Sequence, residues 1–473
     1  MKEVRVTVEL PGAGDVVAGT LTEIPSRTGS TPSATFAYES AYLKQAGSYN
    51  LSPDLYFSGG PQATPIHRQM FMAFEDAAPD TWGRDLIQEQ ARLEARARGE
   101  YAGRLSSFQS LVRVPDHGRQ GALRFWDGEV ALRHGGPAKP IEEWDWVRLV
   151  EASRHFTAPH EIDEGLRQLF RYGTSAGGAR PKVTVSRDGR LSIAKLPHRD
   201  DRWDVSRWEA AALIMAGSAG IAVPNHRVQP FDHDRSILLL DRFDRDELGH
   251  RIGYISARTL LEIEDQDQYR GSYTQLAERL GQVGGRADLP ELYRRVAFTV
   301  MVTNADDHMR NHGLLRGRDG WRLAPSFDVN PALNPSFEST PITPQSDRVH
   351  RDLRELLDVR EAFELTEHQA RLAIKEVESA TRDWAAVGRS LGEPEESIGF
   401  FADAFEHLNR EWARGLSVDE ADGVLRGPNT SGRGPGVRRG DVGLGRTAGG
   451  GNRGSFAKSR RNGSEGRELR ADD

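Results

Sequence analysis

The sequence predicts an α+β fold of two lobes: a β-rich N-lobe carrying an extra N-terminal subdomain, and an all-α C-lobe. Three observations predict it. Short alternating apolar segments, separated by turn residues, fill much of the first 245 residues. From Asp246 to about residue 415 the pattern is mainly helical. From about Leu416 large apolar residues almost disappear. These shifts divide the chain into residues 1–105, 106–245, 246–415 and 416–473.

Composition bounds the class. A chain of 473 residues has room for two or three domains. A hydrophobic content of 37% and a mean hydropathy of −0.60 describe a buried core with a polar excess. The net charge is −7, which argues against non-specific binding to nucleic acid. There is no cysteine, so disulfides and thiolate metal sites are excluded. Met1-Lys2-Glu3-Val4 lacks an apolar signal region, and no apolar run approaches the length of a membrane span. The expected location is cytoplasmic, with no membrane partner.

Arg5–Leu10 alternates, with Val6, Val8 and Leu10 on one side, and predicts a strand. Gly12-Ala13-Gly14-Asp15 turns it into a returning strand, Asp15–Glu23. Ala34–Tyr38 predicts a third strand and Leu51–Phe57 an extended segment. Phe71–Asp80 leads into a helix from Thr81, where DLIQEQARLEARARGE is rich in helix formers. Gly121–Trp126 predicts another short strand and Trp144–Ser153 a helix.

Leu166–Tyr172 then leads into Gly173–Lys182, which reads GTSAGGARPK. A strand, Val183–Ser186, an Asp188-Gly189 hairpin turn and a returning strand, Leu191–Leu196, follow. Backbone N–H groups in a glycine-rich turn can cradle phosphate. Lys195 lies on the returning strand, where the lysine of a kinase holds nucleotide phosphates. The loop is neither a P-loop nor the usual GxGxxG loop, and a glycine-rich hairpin alone is weak evidence. Ser175, Gly177, Gly178, Lys182 and Lys195 are the candidate nucleotide-binding residues here.

Trp208–Gly217 (WEAAALIMAG) predicts an apolar helix with Glu209 near its start. Ile221–Pro224 leads to a strand ending near Pro230, and Asp234-Arg235 turns into a buried strand, Ser236–Leu240. In a kinase layout that strand runs into the inter-lobe hinge, whose backbone meets the adenine. Asp241 and Phe243, just after it, join the nucleotide-binding candidates.

In the second half, Thr274–Gly281, Leu289–Thr303, Asp347–Arg360, Thr366–Val387 and Ile398–Arg414 predict helices. Thr366 with Gln369 makes a capping box. The last helix places Ile398, Phe401, Phe405, Leu408 and Trp412 on one face.

The densest chemistry lies in Ala297–Pro331. An apolar run ends in Asn304-Ala305-Asp306-Asp307-His308-Met309-Arg310-Asn311, then a charged turn, Arg316–Gly320, then strand-like Trp321–Pro325 and Phe327-Asp328-Val329. Asp306, Asn311 and Asp328 repeat the order found in kinase-like phosphotransferases. There the first Asp accepts a hydroxyl proton, and the Asn five residues on and the later Asp hold magnesium. The residue types fit, because Mg²⁺ takes oxygen ligands and an acceptor hydroxyl needs a carboxylate for its proton.

Each residue taken alone has a plainer reading. Asp306 and Asp307 could cap a helix end, Asn311 could sit in a turn, Asp328 in a loop, and Lys195 could hold its amine in water. Together they require a glycine-rich hairpin, a strand lysine, an apolar helix with a Glu, a hinge-like strand, D-x-x-x-x-N and a later Asp, all in kinase order. His308 reads as structural, shaping the loop. Glu209 either pairs with Lys195 or sits solvated at its helix start, and the sequence weighs these equally.

The chain resembles the HipA-like serine/threonine kinases, the toxins of bacterial type II HipBA toxin–antitoxin systems. FAYESAYL and FEDAAPDTWGRDLI resemble the family's N-terminal subdomain. GTSAGGARPK, IAKLP, LLLDRFDR, NADDHMRN and LAPSFDV resemble its catalytic part, so the likeness runs from about Val6 to Trp412. It implies a two-lobed kinase using ATP and Mg²⁺, with Asp306 catalytic, Asn311 and Asp328 as magnesium ligands and Lys195 on the phosphates. It implies autophosphorylation at Ser175, which switches the enzyme off. It implies a substrate such as an aminoacyl-tRNA synthetase, with growth arrest or persistence as the outcome. It also implies a small HipB-like helix-turn-helix antitoxin that carries the toxin to operator DNA. Asp328-Val329-Asn330 in place of D-F-G and Asn304-Ala305-Asp306 in place of H-R-D argue against a eukaryotic-type kinase.

Two other functions share parts of this pattern. A small-molecule kinase of the aminoglycoside-phosphotransferase kind uses the same D-x-x-x-x-N…D layout, although the GGARPK loop favours a protein kinase. A co-repressor acting with its helix-turn-helix partner would not need the full catalytic set, which is present. The Gly/Arg/Ser-rich tail after Leu416 cannot bury enough surface to offset chain entropy and is expected to be disordered.

Overall fold

Alternation along β1 (Glu3–Leu10) buries Val4, Val6, Val8 and Leu10. In the computed structural model this strand lies inside a six-stranded antiparallel sheet. The structure describes all residues except 1–2, 26–31, 129, 133–137, 156–162, 175–177, 179, 199, 265–269, 333–337 and 419–473. The sheet adds β2 (Gly14–Ile24), β3 (Ser33–Tyr38), β4 (Pro61–Ala63), β5 (Leu123–Asp127) and β6 (Val130–Ala131), in the order β4-β3-β2-β1-β5-β6. Phe36, Phe71, Phe74, Phe108 and Phe125 fill its core. β5 pairs with β1, Arg5 opposite Trp126 and Val8 opposite Leu123. The first sheet therefore reaches across residue 105, where the sequence reading divided the chain. Leu51–Phe57 is not a strand but a set of turns and bends. Side chains satisfy its backbone: Leu51 N–H donates to the Tyr38 hydroxyl (2.9 Å) and Asn50 Nδ2 to Leu55 O (2.8 Å).

The second sheet comprises β7 (Lys182–Arg187), β8 (Arg190–Lys195), β9 (His226–Asp232) and β10 (Arg235–Asp241), ordered β7-β8-β10-β9. Asp188 (φ 51°) and Gly189 (φ 74°) turn β7 into β8, both central residues at positive φ as a tight hairpin of matching twist requires. Ile237–Leu240 is apolar throughout because both faces of β10 are covered. Ile237 and Leu239 pack with Leu149, Leu169 and Val183, while Leu238 and Leu240 pack with Ala210 and Leu213 of the helix Val205–Ser218.

The second half is helical and holds the largest core, organised on Leu289–Met301. It also carries a small sheet of β11 (Tyr254–Ser256), β12 (Gly313–Arg316) and β13 (Trp321–Leu323), more than the one strand-like piece read from the sequence. Several predicted helices are shorter. Asp347 caps a turn at Val349 and His350, and Asp352 starts the helix Leu353–Asp358. Thr366–Val387 is two helices, Glu367–Thr381, with the expected capping box, and Trp384–Ser390. The last one breaks at His407, whose extended backbone separates Glu395–Phe405 from Leu408–Gly415. The break turns Leu408 to solvent, 76% exposed, while Ile398, Phe401 and Phe405 stay buried. The expected disordered tail falls, from residue 419 on, outside the described residues. Among the described residues no helix is long and apolar enough to cross a membrane.

Candidate active site

Lys195 ends β8 at the cleft between the two lobes. Its Nζ lies 2.6 and 2.8 Å from the two Glu209 oxygens and 2.7 Å from Asp328 Oδ1. Glu209 is buried on the first turns of the helix Val205–Ser218, so the structure takes the paired reading over the solvated one. Burial opposes a charge on Lys195, but Asp328 and Glu209 outweigh it and hold the ammonium above its ordinary range. Asp328 is held well below the carboxylate range, first by Lys195 and then, against burial, by Lys182. Its backbone is left-handed (φ 59°), a strained state for a non-glycine residue that persists where the surroundings enforce it.

Lys182 opens β7 and is buried. Burial and the neighbouring Lys195 bring its ammonium down to about 8. Gly178 lies against it: a Cβ on Gly178 would come within 2.5 Å of Lys182 Nζ, and Gly178 has φ +94°, so no other residue fits without strain. Ser175 and Gly177 lie outside the described residues. Arg180, beside them, is ion-paired with Asp201.

The loop after Leu289–Met301 presents two adjacent carboxylates in opposite ways. Asp306 is exposed, its side chain 76% accessible. Desolvation by the surrounding chain and the nearby Asp328 and Asp307 carboxylates raise its pKa, against the pull of His308. Asn311 Nδ2 donates to Asp306 O (2.9 Å), which closes the loop. Asp307 is buried. Its Oδ1 lies 2.9 Å from His312 Nε2, and its Oδ2 accepts from Arg351 Nη1 (2.7 Å) and the Tyr273 hydroxyl. Arg351 Nη2 also donates to Asn304 O (2.7 Å), and Thr340 N–H to Asp307 O (2.7 Å). Neither aspartate caps a helix end, the plainer alternative for both. Thr303 provides that stop in the left-handed region (φ 50°).

The two hinge residues both have partners within the protein. The Asp241 carboxylate is engaged by Arg187 Nη2 (2.7 Å) and Ser192 Oγ (2.9 Å), and its backbone N–H donates to Asn225 O (2.9 Å). Phe243 packs against Phe327, ring centroids 5.5 Å apart, directly before Asp328. The support formed by Asp307, His312, Tyr273 and Arg351 was not read from the sequence. Its members are scattered over the C-lobe, and only the short Asp307-to-His312 spacing was a local signal.

Among the described residues no group of three or more His, Asp or Glu side chains could hold a metal by itself. Mg²⁺ ordinarily takes one or two protein oxygens and completes its shell with phosphate oxygens and water. An ionised Asp328 and the Asn311 carbonyl fit that demand.

Residues 13–108 match the family model described as the HipA N-terminal domain, and residues 174–384 match that of the HipA-like C-terminal domain. The chain belongs to the HipA-like family. It is 26% identical over 321 residues to "Putative kinase Y4mE" of Sinorhizobium fredii, covering 62% of this chain and 71% of that protein. It is 25% identical over 181 residues to "Putative kinase Y4dM" of the same organism, covering 36% of this chain and 41% of that protein. Among solved structures it is similar to the HipA of Shewanella oneidensis MR-1, seen in complex with HipB and operator DNA. The TM-score is 0.58 at 15% identity, over 87% of this chain and 96% of that one. At that identity the likeness is one of fold, a HipA-like, kinase-like arrangement of mixed α and β elements. In this HipA-like chain the two matched regions meet at the glycine-rich segment, where Gly178 N–H donates to Asp80 Oδ2 (2.9 Å).

Proposed function

We propose that this HipA-like protein is a serine/threonine kinase that uses ATP and Mg²⁺ and acts as a growth-arresting toxin. The observation that carries the reading is Lys195, held between Glu209 and Asp328, with an open Asp306 on the adjoining loop. A strand lysine paired to a helix glutamate, with a metal-binding Asp beside it, is the working geometry of protein kinases. Lys195 and Lys182 would face the nucleotide phosphates. Asp328 and Asn311 would hold magnesium, which neutralises phosphate charge. Asp306, with its raised pKa, is suited to take the proton of an incoming hydroxyl.

The family supplies the rest. A HipB-like helix-turn-helix antitoxin would bind the toxin and carry it to operator DNA, as HipB and its operator accompany the Shewanella protein. The substrate would be a translation component such as an aminoacyl-tRNA synthetase, in the cytoplasm, with persistence as the outcome. Autophosphorylation at Ser175 would place about −1.5 to −2 charge in the loop meant for phosphate and turn the kinase off.

The test compares phosphopeptides from cells expressing wild type and Asp306→Ala. The expected result is a small set of serine or threonine sites, Ser175 among them, present only with wild type. Identical phosphopeptides in both would remove the reading. Phosphorylation of an added aminoglycoside and of no protein would replace it with the small-molecule one.

A further inference from the structure

The first turn of the helix Thr81–Ala97 is moulded onto the glycine-rich segment, although the two belong to different family domains. Four contacts define this. Asp80 Oδ2 accepts from Gly178 N–H (2.9 Å) while its Oδ1 accepts from Thr81 N–H (3.0 Å). Trp82 N–H donates to Gly178 O (3.3 Å). Trp82 Nε1 donates to Lys182 O (3.3 Å). At Gly83 an added Cβ would lie 2.7 Å from Thr174 O, so the helix backbone runs directly against the start of the segment. Two successive helix residues, Trp82 and Gly83, and the N-cap Asp80 thus grip Thr174, Gly178 and Lys182.

Asp80 faces the catalytic loop as well. Burial opposes its charge, but Arg310, between Asp306 and Asn311, leads the contributions that keep the carboxylate ionised below its ordinary range. Asp80 is in turn the first of the acidic groups that act on the Arg310 guanidinium. A neutral residue at position 80 would still allow a helix. It would not tie one N–H of the phosphate-facing turn and one cation of the catalytic loop to the same point.

We infer that Asp80 is a positioning residue for nucleotide: through Gly178 N–H and Arg310 the N-terminal domain fixes Gly178 against Lys182. It is not a catalytic residue: its carboxylate accepts from the backbone N–H groups of Thr81 and Gly178 and makes no hydrogen bond to Asp306, Asn311 or Asp328. The inference rests on the kinase reading and extends it. The N-terminal domain becomes part of the ATP site, and nucleotide affinity becomes sensitive to any partner that shifts this domain.

The experiment measures Mg-ATP affinity by calorimetry and steady-state kinetics in the full chain. Asp80→Ala is expected to raise Kd and KM for ATP about tenfold, the scale of one charge-assisted hydrogen bond, with kcat at saturating ATP within about twofold. Gly83→Ala gains helix propensity but sets a Cβ 2.7 Å from Thr174 O and 2.8 Å from Pro79 Cβ, so it is expected to melt below wild type while staying folded and to raise Kd by about threefold or more. Asp163→Ala is the control. It removes another helix N-cap, the acceptor for Leu166 N–H at 2.8 Å, away from this contact, and should leave Kd unchanged. If Asp80→Ala does not fold, Gly83→Ala carries the test. Wild-type affinity in both Asp80→Ala and Gly83→Ala, or an equal loss in Asp163→Ala, overturns the inference. A wild type that binds no Mg-ATP overturns the kinase reading and this with it.

Discussion

Two clusters of buried charge lie close together in this molecule and are built to opposite ends. In the cleft, one lysine faces two carboxylates while a second lysine, Lys182, is brought down to about 8. One of those carboxylates, Asp328, sits on a strained left-handed backbone. That cluster holds charge that a polyphosphate and a cation could redistribute. Beneath the catalytic loop, Asp307 meets His312, Tyr273 and Arg351, and Arg351 is further tied to Asn304 O. That cluster has little left to give a ligand. Adjacent residues, Asp306 and Asp307, fall on either side of the division. On the proposed reading, the closed carboxylate anchors the loop that presents the open one to the reaction.

The sharpest way to break this comparison is to exchange the fates of the two aspartates. Asp306→Asn should cut kcat by about 10²–10⁴-fold, the range for a lost general base, with a melting temperature close to wild type. A variant that keeps its activity would show that Asp306 is only a surface residue.

Asp307→Ala should do the reverse, with stability as the primary loss. Removing one member of a buried pair strands Arg351 and costs about 3–5 kcal/mol. Urea titration checks this, and a cost under about 1 kcal/mol would mean that the network is not holding the loop. Burial pushes the Asp307 carboxyl up, but His312 and Arg351 outweigh it and bring it down to about 2. Its contribution is therefore fully present above an unfolded value of about 4 and is lost as pH falls toward 2. Acid denaturation in wild type should be steeper over that window than in Asp307→Asn.

Lys195→Ala should weaken Mg-ATP binding by roughly tenfold to a hundredfold, through loss of a charged donor to phosphate. Unchanged affinity would remove Lys195 from the site. Lys182 sharpens the same point through pH. Its ammonium is brought down to about 8, and bound phosphate favours the protonated form, so affinity should fall as pH rises through that value. At pH 8.5 binding should take up a proton, visible as heats that differ between buffers of different ionisation enthalpy. Identical heats would contradict the assignment. The smallest effect is expected from truncation after residue 418, which should leave the melting temperature and ATP affinity where they were.

What was legible in the sequence follows the range of the physical signal. Alternation at Val6, Val8 and Leu10 and the unbroken apolar run Ile237–Leu240 report burial on one face and on two, and both are local patterns. D-x-x-x-x-N is legible because one short loop holds both residues. Asp307 was not, since periodicity does not say which of two neighbours in a loop turns inward. Leu408 was misplaced because the break at His407 leaves no proline or glycine in the sequence. The grip of Asp80 on Gly178 joins residues 98 apart, and Asp80 alone reads only as a helix cap. Glu209 was undecided until the strand carrying Lys195 was placed across from it.

The most direct test of the central claim is transfer of γ-labelled phosphate from Mg-ATP by the purified full chain, to itself and to proteins of a cell extract, beside Asp306→Ala. The account predicts label on serine or threonine with wild type and none with the variant, both proteins melting at the same temperature. Equal labelling by the two, or none by a wild type shown to bind Mg-ATP, would contradict it.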